Sequence, residues 1–375
     1  MKYGLALGGG GTKGAYHIGV WQALMEMNIE VSAVTGTSIG SINGAIFAQG
    51  DWELAKEWWT SIDISDIIET SELGEVGDNI LDIKNLKSVA TAIYKNDGLE
   101  AAPLKNLLER LIDEDKVRNS KMEFGLVTYS LDKLEGEELF IEDIPKGKLV
   151  EFLMASASMP GLKKTVINEK KYIDGAVVNN IPSNMLINKG IKNIITVDVG
   201  GVGVVKGVET PGVNHIKIKF SENVIGHLDF SKEAIDKMIK MGYFDTLRAF
   251  SRIEGSIYAF NISDYHKSRI KYSEDIIYGI ERAAEILCID KYKLYRFDDL
   301  KNTVVNTLVR EVNNYDSEET KPFFAEGIKI DERQLLVKII KHIKNKKLDE
   351  LSNKIFKGIM GEIYNAANAI VYFES

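Results

Sequence analysis

A serine framed by two glycines stands where a predicted strand gives way to a predicted helix. Residues 36–40 read Gly-Thr-Ser-Ile-Gly, which is the G-x-S-x-G form of a nucleophile elbow. The β-branched and apolar residues 31–35 predict a short strand, and residues 41–48 predict the start of a buried helix. A serine on so sharp a turn presents its hydroxyl above the edge of a sheet. The pattern favours a catalytic nucleophile at Ser38 over a structural turn, with Gly36 and Gly40 giving the backbone room.

A run of glycines lies between the first predicted strand and the first predicted helix. Residues 8–14 read Gly-Gly-Gly-Gly-Thr-Lys-Gly. The N–H groups of such a backbone can point into a cleft unobstructed, and the following helix adds the positive end of its dipole. The run therefore suits a phosphate group or the oxyanion that forms when an acyl carbonyl is attacked.

Two kinds of phosphate site can be compared with this glycine run. Residues 9–14 match G-x-G-x-x-G, but a dinucleotide site also needs an acidic residue at the end of the second strand. Residues 35–38 read Thr-Gly-Thr-Ser at that place. A Walker loop needs Ser or Thr after its lysine, and Lys13 is followed by Gly14. Nucleotide binding by residues 8–14 is the alternative function that the sequence leaves open.

The third candidate element is an aspartate at the end of a predicted short strand. Residues 172–182 contain Asp174 and Gly175, followed by a polar turn. An Asp-Gly pair alone is typical of a hairpin turn. Beside a serine elbow and a glycine loop, the same pair indicates a carboxylate partner for the serine.

These three elements, in this order, resemble the patatin-like phospholipase family, in its bacterial type. The resemblance rests on residues 9–14, 36–40 and 174–176, and residues 155–161 and 178–182 support it. It covers roughly residues 3–250. One departure is Gly8, where plant members of the family carry an aspartate before the glycines, and bacterial members often lack that aspartate.

The resemblance implies a three-layer α/β sandwich with a mostly parallel central sheet, and hydrolysis of lipid acyl esters. The activity would be that of a phospholipase A or a lysophospholipase-type esterase. Ser38 would be the nucleophile and Asp174 the base of a catalytic dyad, with oxyanion N–H groups from Gly9, Gly10 and Gly11. Lys13 would hold the loop or reach an anionic head group. No cofactor is implied.

An ordinary Ser-Asp-His triad is the alternative mechanism. A free aspartate has a pKa of about 3.9, which makes it a weak base toward an alcohol. Asp198, at a predicted strand end, and His227, in the following loop, could complete a triad. His215 lies in a strand predicted at residues 213–217 and is expected to be packed there, and His17 is expected to be structural.

The elements that must position these residues alternate between strand and helix. Residues 3–7, 124–129 and 194–199 predict further strands, and residues 14–27 predict a helix. This alternation is typical of a parallel sheet covered on both faces, an α/β fold. Residues 51–99 predict helices laid over the sheet, and their tryptophans, Trp52, Trp58 and Trp59, are expected in the core.

Helical periodicity dominates after about residue 265. Helices are predicted at residues 275–287, 300–312, 332–343 and 348–372. We therefore expect a lipid acyl hydrolase domain at residues 1–264 and a helical domain or appendage at residues 265–375. Residues 338–347 are basic and partly amphipathic, which is typical of contact with anionic lipid or of an ordinary solvated helix end.

Composition restricts the class of protein. The 375 residues are 45% hydrophobic with a net charge of −8, which excludes global disorder and argues against nucleic acid as a partner. Cys288 is the only cysteine, so no intrachain disulfide forms. No signal peptide or long apolar run occurs, and no metal-ligand pattern is evident. We expect a cytoplasmic protein with a lipid substrate and possible peripheral membrane contact; secretion without a cleaved signal stays open.

Overall fold

The computed structural model describes residues 1–69, 98–220, 229–314, 331–345 and 360–374. The chain divides into two compact units, Met1–Phe250 and Ser251–Ser375. The assignment of separate domains to residues 1–264 and 265–375 stays a prediction.

The first unit is built on one mixed sheet. Eight strands of the described residues form it: β1 (Lys2–Leu7), β2 (Glu30–Thr37), β3 (Glu123–Ser130), β4 (Glu135–Phe140), β5 (Thr165–Ile167), β6 (Lys170–Asp174), β7 (Asn193–Asp198) and β8 (Asn214–Lys219). Their order is β5-β6-β3-β2-β1-β7-β8, and β4 also pairs with β3. Strands β3, β2, β1, β7 and β8 are parallel, while β4 and β6 run antiparallel to β3 and β5 antiparallel to β6.

The parallel strands are buried as the sequence predicts. The strands predicted at residues 3–7, 31–35, 124–129, 194–199 and 213–217 are confirmed as β1, β2, β3, β7 and β8. The last five residues of β1 are all buried, as expected of a parallel strand that is covered on both faces.

Helices cover both faces of the sheet and give three layers. The helices of this unit are α1 (Ala15–Glu26), α2 (Ile39–Gln49), α3 (Trp52–Ser61), α4 (Ala102–Leu111), α5 (Glu114–Arg118), α6 (Leu149–Ser156), α7 (Ser183–Asn188) and α8 (Lys232–Ala249). Leu186 of α7 packs with Ala6 and Ala33 on one face. Successive strand residues point to opposite faces. Val34 accordingly meets α2 on the other face, beside Gly44.

The tryptophans predicted to be core residues are mostly buried. Trp58 and Trp59 are buried in α3, and the Trp59 indole N–H donates to Asn43 Oδ1 at 3.0 Å. Trp52 is half-buried at the start of the same helix. Helix α3 begins there because the Asp51 carboxylate accepts a hydrogen bond from the Leu54 N–H at 3.2 Å.

The second unit is mainly helical. It contains α9 (Ile262–Lys271), α10 (Glu274–Ile286), α11 (Phe297–Asn314), α12 (Glu332–Lys344) and α13 (Gly361–Glu374) around one apolar core. The helices predicted at residues 275–287, 300–312 and 332–343 are confirmed as α10, α11 and α12. Of the helix predicted at residues 348–372, the part from residue 361 is confirmed, and residues 348–359 lie outside the described residues.

The second unit also contains a three-stranded sheet that was not predicted. Its strands are only two or three residues long: β9 (Ile253–Glu254), β10 (Ala259–Asn261) and β11 (Leu294–Tyr295).

The basic segment predicted at residues 338–347 ends helix α12. Lys338 and Lys341 are half-buried there, and Lys344 forms an ion pair with Glu374. Residues 346 and 347 lie outside the described residues. Across all helices of the described ranges, none combines the length and the apolar character that crossing a bilayer requires.

Candidate active site

Ser38 occupies a tight turn between strand β2 and helix α2. Its backbone has φ 56° and ψ −129°, a combination that residues other than glycine rarely adopt. Two hydrogen bonds hold this conformation: the Ser38 N–H donates to Ser156 Oγ at 2.9 Å, and the Ser41 N–H donates to the Ser38 carbonyl at 2.9 Å. Backbone strain of this kind persists only where the surroundings stabilise it, and here they fix the direction of the hydroxyl.

The glycines of the three predicted motifs sit where the backbone is too crowded for a side chain. A Cβ on Gly36 would lie 2.1 Å from the Gly40 carbonyl oxygen, and one on Gly40 would lie 2.3 Å from that of Leu7. On Gly175 it would lie 2.3 Å from the Val127 carbonyl oxygen. On Gly14 it would lie 2.4 Å from Cγ1 of Ile39, the residue after the serine. These glycines permit close approach, which lets the serine turn, the glycine loop and the aspartate meet.

Asp174 reaches Ser38 from the antiparallel side of the sheet. It ends strand β6, where it pairs with Thr128 of β3, and its N–H donates to the Ser158 carbonyl at 3.0 Å. Its Oδ1 accepts a hydrogen bond from the Ala176 N–H at 2.8 Å, and the Ser38 side chain lies close enough to its carboxyl group to lower the pKa of that group. The two side chains are 5% and 6% exposed, so the pair is nearly free of solvent.

Burial changes the basicity of this carboxylate. Removal from water raises the pKa of Asp174 to about 6, while the nearby Ser38 side chain and the hydrogen bond from the Ala176 N–H oppose the rise. A carboxylate with this pKa is a better proton acceptor than a free aspartate and is still ionised near neutral pH.

Asn180 shapes the glycine loop. The Gly9 N–H donates to Asn180 Oδ1 at 3.1 Å and to the Asn180 carbonyl at 3.3 Å, and the Asn180 amide donates back to the Gly9 carbonyl at 3.3 Å. The Gly9 N–H is therefore engaged by Asn180, and its role as a donor to an oxyanion stays a prediction. A phosphate cradle built from successive N–H groups would lose the same donor. Gly10 and Gly11 border the cleft beside Ser38, and their oxyanion role stays a prediction.

Lys13 makes local contacts beside the loop. Its ammonium group donates to the Gly200 carbonyl at 3.4 Å and lies 5.6 Å from the centre of the Phe220 ring. Burial lowers its pKa, and the nearby Asp198 acts in the opposite direction. Of the two predicted roles, these contacts match a side chain that holds the loop.

The residues of the alternative triad have other partners or lie outside the described ranges. The Asp198 carboxylate accepts a hydrogen bond from the Gly200 N–H at 2.9 Å, and His215 Nε2 lies 2.8 Å from Thr196 Oγ1. His17 is buried against Asn43, and burial lowers its pKa to about 3, so its ring is neutral. His227 lies outside the described residues. Among the described residues that border the cleft with Ser38, the ionisable one is Asp174.

Ser156 and Asn180 are site residues that motif spacing did not assign. Ser156 Oγ accepts from the Ser38 N–H and donates to the Val127 carbonyl at 2.7 Å, which ties the serine turn to strand β3. Both residues belong to the stretches 155–161 and 178–182 that support the resemblance. That was the only signal, because the bond between Gly9 and Asn180 spans 171 positions of sequence.

Two cavities meet at Ser38. A cleft of about 630 Å³ is bordered by Gly9, Gly10, Gly11, Asp174, Val177 and Val202, among others. An apolar crevice of about 50 Å³ is bordered by Ile39, Ile42, Trp59, Leu104, Leu162 and Phe230, among others. Gly11, Ser38 and Met159 border both. In the described part of the chain, no three His, Cys, Asp or Glu side chains gather into a possible metal site.

Comparisons with known proteins give the family that residues 5–187 match. The family model of the patatin-like phospholipases matches residues 5–187. Patatin-like phospholipase domain-containing protein 6 of Mus musculus is 28% identical over 204 residues, which are 52% of this chain and 13% of that protein. Lysophospholipase NTE1 of Kluyveromyces lactis is 27% identical over 200 residues, 53% of this chain and 13% of that protein.

The chain thus spans only a small part of the length of these relatives. Among solved structures, that of VipD from Legionella pneumophila is similar at 14% identity, with a TM-score of 0.42, over 99% of this chain and 86% of that one. The family model contains the glycine loop, the serine turn and the aspartate in one continuous match. Residues 5–187 therefore form a patatin-like phospholipase domain.

Proposed function

We propose that this chain hydrolyses acyl esters of lipids, as a phospholipase A or a lysophospholipase-type esterase, with Ser38 as nucleophile and Asp174 as base. The observation that carries the proposal is that these two buried side chains border the same cleft and that the Ser38 side chain affects the pKa of Asp174. The family of residues 5–187 and a relative named as a lysophospholipase support a lipid substrate.

The reaction proceeds through an acyl-enzyme. Ser38 Oγ attacks the ester carbonyl carbon while Asp174 accepts the hydroxyl proton. The carbon–oxygen bond to the alcohol then breaks, and Asp174 returns the proton to the departing oxygen. A water molecule attacks the acyl carbon and gives a proton to Asp174. The bond between that carbon and Ser38 Oγ then breaks, the fatty acid leaves, and Asp174 returns the proton to Ser38 Oγ.

The oxyanion of each tetrahedral intermediate needs donors that are already in place. Gly10 and Gly11 border the cleft at Ser38, and Gly11 opens the short helical turn Gly11–Gly14. We assign the N–H groups of Gly10 and Gly11 to the oxyanion because both residues border the cleft at Ser38. Losing one such donor typically costs about 3 kcal/mol of transition-state stabilisation. In this scheme Asn180 positions the loop through Gly9 and does not contact the oxyanion.

A serine-directed probe tests the proposal. We expect a fluorophosphonate to label the wild type and not Ser38→Ala, because the probe reacts only with an activated serine. Ser61→Ala, which removes an exposed serine of helix α3, is the matched control and should be labelled like the wild type. Release of fatty acid from phospholipid and lysophospholipid then distinguishes the two classes of substrate. Equal labelling of Ser38→Ala would refute the assignment of the nucleophile.

The pH profile should report the buried carboxylate. Because Asp174 must be ionised to accept a proton and its pKa is raised to about 6, activity requires a pH above that value. We expect kcat/KM for a water-soluble ester to fall about tenfold per pH unit below pH 6 and to level off above it. A profile that stays flat down to pH 4.5, near the ordinary aspartate pKa of about 3.9, would contradict a base with a raised pKa.

A further inference from the structure

Four valines are exposed to solvent around the mouth of the cleft. Val177, Val202, Val204 and Val205, here called the valine rim, are 45%, 84%, 50% and 52% exposed. Val177, Val202 and Val204 also border the 630 Å³ cleft that contains Ser38. One apolar surface is therefore continuous from bulk solvent to the serine.

The rim is held in place by the segment that carries the base. The Val204 N–H donates to the Ala176 carbonyl at 2.8 Å, and the Asn180 N–H donates to the Val204 carbonyl at 2.6 Å. A Cβ on Gly203 would lie 2.5 Å from the Ala176 carbonyl oxygen, so the two segments are packed backbone to backbone. The valines are thus fixed beside the catalytic aspartate.

The valine rim is apolar, and the nearby charge of Lys206 is neutralised by an ion pair. Lys206 follows Val205, and its ammonium group forms an ion pair with Glu138 at 3.0 Å. Single exposed apolar side chains are common on proteins, but a contiguous apolar patch indicates an interaction site. Attraction to such a patch depends on removing apolar area from water and not on charge.

We propose that the valine rim is the surface by which the protein docks on a lipid–water interface. The inference rests on the proposed function, because a lipid hydrolase must extract its substrate from an aggregate. With the rim immersed, an acyl ester moves from the lipid surface along Val202 and Val204 to Ser38 without crossing water. The occupant is the apolar surface of a lipid aggregate, and an anionic head group is not required.

Vesicle binding tests the rim independently of catalysis. All variants are made in a Ser38→Ala background and sedimented with phosphatidylcholine vesicles. We expect Val202→Ser/Val205→Ser to bind about tenfold more weakly, since two exposed valines that would be immersed in lipid lose their apolar contact with it. The matched control is Leu134→Ser/Val166→Ser, which changes side chains that are 72% and 57% exposed, and it should bind like the parent.

A fluorescent variant gives a second readout. The indole of Val202→Trp should shift to shorter wavelength when phosphatidylcholine vesicles are added, and that of Val166→Trp should not. Unchanged binding by the rim double variant overturns the proposal, as does a Val202→Trp spectrum that vesicles leave unaltered. Binding that requires phosphatidylserine and disappears at high salt also overturns it, in favour of an electrostatic surface. None of these outcomes depends on ester hydrolysis, which the labelling of Ser38 tests separately.

Discussion

Asp174→Asn is expected to reduce kcat/KM for ester hydrolysis by about 10³-fold, the middle of the range for loss of a general base. The amide has nearly the same shape and can still accept the hydrogen bond from the Ala176 N–H that the carboxylate accepts at 2.8 Å. It cannot take the proton of Ser38. Steady-state kinetics with a water-soluble ester measure the effect, and a cooperative urea-unfolding transition confirms that the variant is folded.

The same substitution should stabilise the protein above pH 6. The folded-state pKa of Asp174 is raised from 3.8 to about 6, so the folded protein holds a proton that the unfolded chain has released. Stability from this group is therefore fully present below pH 4 and is lost as the pH rises through 6, at a cost of roughly 3 kcal/mol. Urea unfolding at pH 8 should show Asp174→Asn as more stable than the wild type, and at pH 4 the difference should disappear.

Two control variants separate the dyad from a triad. Asp198→Asn should keep most of the activity, because its amide oxygen can still accept from the Gly200 N–H. His227→Ala should also keep most of it. Loss of activity in His227→Ala, with activity retained in Asp174→Asn, would exclude the dyad and favour a Ser-Asp-His mechanism.

Gly36→Ala should destabilise the first unit by at least about 3 kcal/mol, at the upper end of single-residue effects. The new Cβ would lie 2.1 Å from the Gly40 carbonyl oxygen and 2.2 Å from its carbonyl carbon. Both atoms are backbone of the turn that holds Ser38, so relief of the clash requires the turn to open. Urea unfolding measures the loss of stability, and fluorophosphonate labelling should fall with it.

Gly207→Ala is the matched control for this steric effect. A Cβ at that position meets Glu209 Cγ at 3.8 Å, an ordinary van der Waals contact. We expect its free energy of unfolding to stay within about 0.5 kcal/mol of the wild type. If Gly36→Ala were equally well tolerated, the turn in solution would be more open than the structure describes.

Local patterns predicted the elements, and long-range contacts could not be predicted. Strands β1 and β2 and the serine turn follow from β-branched residues and from glycines close in sequence. The bond from Ser38 to Ser156 joins residues 118 positions apart, and the Gly9–Asn180 bond joins residues 171 apart. No periodicity encodes such pairs. The raised pKa of Asp174 could not be predicted either. An aspartate needs it to act as a base toward an alcohol, but it results from burial, which only the folded chain has.

The order of the strands has a consequence for synthesis on the ribosome. The first strand, β1, pairs with β2 on one side and with the late strand β7 on the other, so the middle of the sheet is completed only when residues 193–198 have emerged. The glycine loop is completed later still, after residue 201 has emerged, because Gly201 packs against Gly9. A nascent chain shorter than this contains Ser38 without the residues that complete the cleft around it, so the candidate site forms as one late event in translation.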